Sequence, residues 1–122
     1  MHELSIALCL IEGVLAEAEK QGGVHVETVR VKVGVLSGVD KDALEFSYRV
    51  ACEKTPLEGS RLVIEESPAV IYCPTCVADR ILPSIQHFCC PECQTPAQDI
   101  RGGRELEITA LEVALDHESA TG

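Results

Sequence analysis

Cys73-Pro74-Thr75-Cys76 and Cys90-Pro91-Glu92-Cys93 are two copies of one C-P-x-C unit, separated by residues 77–89. Each pair makes a tight turn that aims two thiolates at one point. Two such turns complete a tetrahedral four-sulfur site, which suits Zn(II) with no vacant position. A closed site of this kind is structural, because nothing remains to activate water. The surrounding module has too little apolar area to fold alone, so metal binding supplies its folding free energy, on the order of 10 kcal/mol in comparable peptides. Cys89 competes with Cys90, but its use would turn the second pair into C-x3-C and lose the likeness to the first. Cys90 reads as the ligand and Cys89 as a bystander. A neutral His87 imidazole is chemically able to replace a thiolate, yet a histidine in such a place is more often a surface residue.

The cysteine stretch is compositionally distinct. From Cys73 to Gln98 the chain holds five of its seven cysteines and four of its six prolines. Upstream, Leu4, Ala7, Leu8, Ile11, Val14, Leu15 and Ala18 recur at helical spacing up to Lys20, with Glu12, Glu17 and Glu19 off the stripe. Ile6 and Leu10 widen the apolar face, which predicts a helix buried on two sides. Gln21-Gly22-Gly23 ends it, since glycine takes the left-handed conformation of a C-cap. Val29, Val31, Val33 and Val35 alternate with Thr28, Arg30, Lys32 and Gly34 as a half-buried strand. Asp40 caps a second helix running to about Cys52, with apolar rows Ala43, Phe46, Val50 and Leu44, Tyr48. Lys54 to Arg61 is a loop, Leu62 to Glu66 a strand, and Pro68 an edge or break before Val70-Ile71-Tyr72.

Gln98 to Arg104 is polar and carries Gly102-Gly103, which predicts a hinge. The last apolar run places Leu106, Ile108 and Ala110 on one face and Leu111, Val113 and Leu115 on the other, a phase switch expected of a β-bulge near Ala110. That strand cannot stand alone and returns to pair with the earlier ones. The expected fold is α+β: a small mixed sheet with two helices, formed by residues 1–69 and 104–122, and an inserted zinc-ribbon-like domain over 70–103. Beyond Asp116 a frayed polar tail is expected.

Ten basic residues against twenty acidic ones give a formal charge of −10 in this 122-residue chain. Neutralising phosphates requires Lys and Arg, so the balance argues against nucleic-acid binding and against anionic membranes. No apolar run is long enough to span a bilayer. A secretory signal needs an early positive segment, and no Lys or Arg precedes Lys20, so a cytoplasmic protein is expected. In a reducing compartment paired cysteines read as metal ligands. Cys9 and Cys52, in helix-like segments, read as small buried hydrophobes.

At the N-terminus, the large His2 predicts retention of Met1. The Met1 amine, a deprotonated amide and the His2 ring then chelate one ion in fused rings, an all-nitrogen set that Ni(II) and Cu(II) favour. Taken alone, such a histidine is more often simply exposed. The wider pattern is more specific. Met1-His2-Glu3-Leu4-Ser5, a helix, a β segment, Asp42-Ala43-Leu44-Glu45-Phe46 and Thr55-Pro56-Leu57-Glu58-Gly59 precede the C-P-x-C units, and Gly103-Arg104-Glu105-Leu106-Glu107-Ile108 follows them. In that order these segments resemble the HypA/HybF family of hydrogenase maturation nickel chaperones, over nearly the whole chain.

The resemblance implies a nickel domain built from both chain ends and an inserted zinc domain. It implies that His2 is the key nickel side chain, helped by the Met1 amine and the backbone nitrogens of His2 and Glu3. The zinc ligands it implies are Cys73, Cys76, Cys90 and Cys93. Many relatives have glycine after each pair, where this chain has Val77 and Gln94. The implied activity is carriage of Ni(II) to the large-subunit precursor of a [NiFe]-hydrogenase, with a HypB-type GTPase as partner and a monomer or homodimer as the working form. The alternative is a zinc-ribbon protein-interaction adaptor without nickel carriage. An enzyme finds no support: neither a Ser/His/Asp arrangement nor a phosphate-binding glycine loop is evident, and the metal site is closed.

Overall fold

The computed structural model describes residues 2–114; Met1, Leu115, Asp116 and His117 lie outside the described residues. In chain order the elements are α1 (His2–Lys20), β1 (Val26–Gly34), α2 (Lys41–Ala51), β2 (Arg61–Ser67), β3 (Val70–Cys73), β4 (Ala78–Ile81), β5 (Asp99–Gly102) and β6 (Leu106–Val113). The strands form two three-stranded sheets, β2-β1-β6 and β4-β3-β5, so the class is α+β as expected. The returning strand β6 pairs with β1. Among the described residues, 2–31, 40–64 and 108–114 make one compact unit, and 32–39 with 65–107 make another.

In the first unit α1 packs against α2. It buries Ala7, Leu10, Ile11, Val14 and Ala18, while Leu4, Leu8 and Cys9 are exposed. The helix is therefore covered on one side only, and Cys9 is not the core residue its spacing suggests. A one-sided helix buries a stripe little more than 100° wide, and Leu10 and Ala7 occupy it at the expense of Leu4 and Leu8. Past Lys20 the Gly23 amide donates to Ala18 O at 2.9 Å, with Gly22 and Gly23 at φ 91° and 80°. This closes the helix as the glycine pair predicts.

The Asp40 side chain accepts from the Asp42 and Ala43 amides at the start of α2. Of the two apolar rows of α2, only Leu44 and Tyr48 are buried. Phe46 and Val50 face outward, with the Arg49 guanidinium 5.6 Å above the Phe46 ring. Cys52 is buried, as expected of a packed thiol, near the Tyr48 hydroxyl, which lies 2.7 Å from Ser60 Oγ. Burial pushes both the Tyr48 phenol and the Cys52 thiol above their ordinary values.

In the second unit β3 is the centre of an antiparallel sheet. It pairs with β4 in the register Ile71↔Arg80 and Cys73↔Ala78, and with β5 in the register Ile71↔Ile100 and Tyr72↔Asp99. The polar stretch expected to be a hinge is thus partly strand. Backbone ladders need no apolar side chains, and an edge strand with one inward residue, Ile100, suffices. Ala69, Ile71 and Leu82 form the buried cluster, with Val35, Leu36, Phe88, Ala97 and Ile100 packed on it. The chain passes itself closely at Gly34, where an added Cβ would stand 2.0 Å from the Gly103 carbonyl oxygen. The Leu36 amide donates to that same carbonyl at 2.6 Å.

Candidate metal centre

Each C-P-x-C unit sits at the tip of a hairpin. Cys73 ends β3 and faces Ala78 at the start of β4, so residues 74–77 form the turn that carries Cys76. The second unit is closed by an isolated bridge between Cys89 and Pro96, by the Ala97 amide donating to Phe88 O at 3.0 Å, and by the Cys90 amide donating to Thr95 O at 2.8 Å. Val77 and Gln94, the residues after each pair, both take left-handed conformations, φ 54° and 68°. Two short turns of the same shape thus aim their sulfurs inward. The glycine-like geometry is kept without glycine, at a steric cost greatest for the β-branched valine.

The Sγ atoms of Cys73, Cys76, Cys90 and Cys93 all lie within 4.8 Å of one another, with 3.5 Å between Cys73 and Cys93 and 3.9 Å between Cys76 and Cys90. Four sulfurs at about 2.3 Å from one ion in a tetrahedron stand about 3.8 Å apart. The cluster therefore fits a zinc site. Cys89 is not part of it; its thiol lies 3.5 Å from Gln94 Oε1. His87 is exposed. Among the described residues this is the one group of three or more His, Cys, Asp or Glu side chains gathered around a point.

Each sulfur has its own surroundings. The Cys76 amide donates to Cys73 Sγ and the Glu92 amide to Cys90 Sγ, both at 3.4 Å. Cys93, the exposed member, has Thr95 Oγ1 at 3.0 Å, and that hydroxyl in turn lies 3.0 Å from Thr75 Oγ1. The amide donor of Cys76 holds the Cys73 thiol below its ordinary value, and Thr95 does the same for Cys93. At Cys90 desolvation works against the thiolate, but the amides of Cys93 and Glu92 outweigh it and the value falls. At Cys76 the Arg80 guanidinium favours the thiolate, yet the neighbouring sulfurs and desolvation prevail and push it up to about 11. Without a cation, four thiols this close resist ionising together, because each thiolate repels the next. A divalent ion removes that conflict.

At the other candidate site, α1 begins at His2, whose side chain is 60% exposed. Its Nδ1 lies 3.7 Å from Glu3 Oε2. The Glu3 carboxylate accepts from the Asp40 amide at 3.1 Å, and that donor holds its pKa below the ordinary value of 4.5. Asp40 thus both caps α2 with its side chain and ties the start of α1 to that cap with its amide. Sequence reading finds the first role from the residue type. The second leaves no sequence signal, and neither does the placement of Arg80, Thr75 and Thr95 around the sulfurs.

An α+β fold with a four-cysteine cluster on paired hairpins is that of a small protein equipped to bind a metal ion. Residues 1–113 match the family described as "Hydrogenase/urease nickel incorporation, metallochaperone, hypA", and the chain belongs to that family. It is 46% identical over 121 residues to the hydrogenase maturation factor HypA of Roseiflexus sp. (strain RS-1), covering 99% of this chain and 98% of that one. To the factor of the same name from Chloroflexus aggregans it is 45% identical over 112 residues, covering 92% of this chain and 98% of that one. The fold is that of the solution structure of the Ni metallochaperone HypA from Helicobacter pylori, with a TM-score of 0.63 at 23% identity, covering 91% of this chain and 96% of that one. Among the described residues no helix is long and apolar enough to cross a membrane.

Proposed function

We propose that this protein carries Ni(II) at its N-terminus and delivers it to the large-subunit precursor of a [NiFe]-hydrogenase, while Cys73, Cys76, Cys90 and Cys93 hold a structural Zn(II). The observation that carries the nickel reading is the start of α1 at His2 in a chain whose family incorporates nickel. The first amides of a helix have no intrahelical acceptor, so the nitrogens of His2 and Glu3 stand outside the helix ladder, where a metal can displace their protons. The Glu3 carboxylate accepts from the Asp40 amide and from its own amide, so a metal taking the Glu3 backbone nitrogen replaces the second of these bonds. The exposed His2 imidazole supplies another, and the Met1 amine, outside the described residues, completes the nitrogen set. The positive end of the helix dipole disfavours a resident cation by about 0.3–1 kcal/mol, which suits a carrier that must release its cargo.

Zinc belongs to the four sulfurs by donor chemistry and spacing, and there it fixes the two hairpins relative to each other. In this reading residues 1–69 and 104–122 are the nickel-binding domain and residues 70–103 the inserted zinc domain. The working context is cytoplasmic, with a HypB-type GTPase as partner and a monomer or homodimer as the carrier. The protein performs no chemistry on a substrate.

The test is a nickel titration by calorimetry on tag-free, zinc-loaded protein, wild type against His2→Ala. Wild type is expected to take up nickel and His2→Ala to lose that uptake while keeping its zinc. Equal uptake by both would remove His2 from the site. Zinc binding with no nickel uptake in wild type would leave only a zinc-ribbon adaptor.

A further inference from the structure

Four thiolates carry twice the charge that one divalent ion neutralises, and this centre sits in a chain whose formal charge is already −10. Something in the second unit has to offset that excess. Backbone amides serve Cys73 and Cys90, and Cys93 has the Thr95 hydroxyl and amide beside it. Amides and hydroxyls are dipoles, however, and bring no net charge. Cys76 is served differently.

Arg80 stands on β4 directly opposite Ile71, two positions beyond Ala78, which faces Cys73. Side chains alternate along a strand, so Arg80 shares the inward face with Ile71 and Cys73. The half-buried residues of β4 are Ala78 and Arg80, whereas Asp79 and Ile81 point out. An arginine on the inward face of a small sheet is costly unless its charge is met. Its Nε is fully buried and has no hydrogen-bond partner. The charge that most favours its guanidinium is that of the thiolates, Cys76 first and Cys90 after it.

We propose that Arg80 is the counter-cation of the four-thiolate centre, placed to offset the excess charge of the zinc-loaded cluster and to hold Cys76 in the ligand set. It is a positioning residue, acting on the metal through Cys76. The bland alternative is an arginine that merely packs its stem along the sheet. Arg101 supplies the contrast within the same sheet. It stands on β5 with its guanidinium 4.6 Å above the Tyr72 ring, bonded to Asp99 at 2.9 Å and paired with Asp79 at 3.8 Å, so its charge is already met by carboxylates. Removing either arginine changes the net charge equally. Of the two, only Arg80 shares the inward face of the sheet with a cysteine of the cluster.

The inference rests on the zinc reading of the cluster, and the experiment separates the two. Zinc affinity is measured by competition with a chromophoric chelator on the full chain, for wild type, Arg80→Gln, Arg80→Lys and Arg101→Gln. In parallel, the zinc-loaded proteins are treated with limiting iodoacetamide and the alkylated cysteines are mapped by mass spectrometry. Loss of a group that orients a metal ligand weakens binding by roughly 10- to 100-fold. That loss is expected for Arg80→Gln, with a smaller one for Arg80→Lys, which keeps the charge without the fork. Arg101→Gln should bind as wild type does. In both Arg80 variants alkylation of Cys76 should speed up relative to that of the exposed Cys93, compared with wild type.

Wild type that binds no zinc would remove the zinc reading itself. Wild type that binds zinc, with Arg80→Gln matching it or Arg101→Gln weakened as much, would overturn the role of Arg80 alone. Should Arg80→Gln fail to fold, Arg80→Lys decides the matter: unchanged affinity and unchanged relative alkylation of Cys76 would overturn the proposal.

Discussion

Val14, Val29, Leu44, Tyr48 and Leu57 are each 1% exposed or less, in a unit where two helices and a strand supply enough side-chain surface to close a core. In the cysteine-bearing unit one buried cluster is the small group Ala69, Ile71 and Leu82, and Cys73 and Cys90 are as inaccessible as those three. The same degree of burial thus has two physical meanings. In the first unit it reflects apolar area withdrawn from water, at about 25 cal/mol per Å². In the second, buried thiols beside two more at 3.5–3.9 Å resist ionising together, and gain stability only when a cation arrives. One unit is made by its side chains; the other, in the function proposed above, is made by its side chains plus an ion.

Metal removal should separate them most widely. With a strong chelator, amide exchange at Ile71 and Cys73 is expected to accelerate by orders of magnitude while Val14 and Leu44 stay protected. The coordination energy at stake is on the order of 10 kcal/mol. Equal loss of protection in both units would erase the distinction. The converse change, Leu44→Ala, should lower the stability of the helical unit by roughly 2–5 kcal/mol, because a fully buried side chain leaves a cavity. Zinc stoichiometry, read by native mass spectrometry, should not move.

A smaller effect probes the hairpin turns. Val77 is 72% exposed and held at φ 54°, so Val77→Gly removes left-handed strain without emptying a core. A gain of about 1 kcal/mol in zinc-loaded stability is expected, the strain relieved being partly offset by the freer unfolded chain. A loss of stability would show that the valine side chain serves some purpose in the turn.

The smallest effect is a pH dependence. The Glu105 carboxylate is held below its ordinary 4.5 by the Ser67 hydroxyl at 2.7 Å and by backbone donors that include the Gly103 amide at 2.9 Å. A depressed folded value contributes stability that is present above about pH 4.5 and is lost as pH falls through the lowered value. Denaturation of wild type and Glu105→Gln should therefore differ near neutrality and converge in acid. A gap that stays constant with pH would point to a packing effect instead.

Much of this was legible in residue order. The paired C-P-x-C spacing announces the sulfur cluster, Asp40 announces the start of α2, and Gly22-Gly23 announce the end of α1, because each rests on local chemistry. The orientation of the helices was less legible. Leu4 and Leu8 fit the same period as Ala7 and Ile11, and only the packing of α2 on one side selects which of them are buried. On α2 the two apolar rows are equally regular, and only packing selects Leu44 and Tyr48 over Phe46 and Val50 for burial. Strand β5 was hidden because a ladder with β3 depends on backbone groups that every polar residue also carries. The contacts of Arg80 and Asp40 join positions through strand register and cap geometry. No spacing rule encodes those.

Nickel X-ray absorption on tag-free, zinc-loaded protein with one equivalent of Ni(II) tests the separation of the two metal sites most directly. A first shell of nitrogen and oxygen scatterers with an imidazole signature, and no sulfur, is the expected spectrum. Sulfur in the nickel shell, with zinc displaced into solution, would contradict it and place the cargo on the four cysteines.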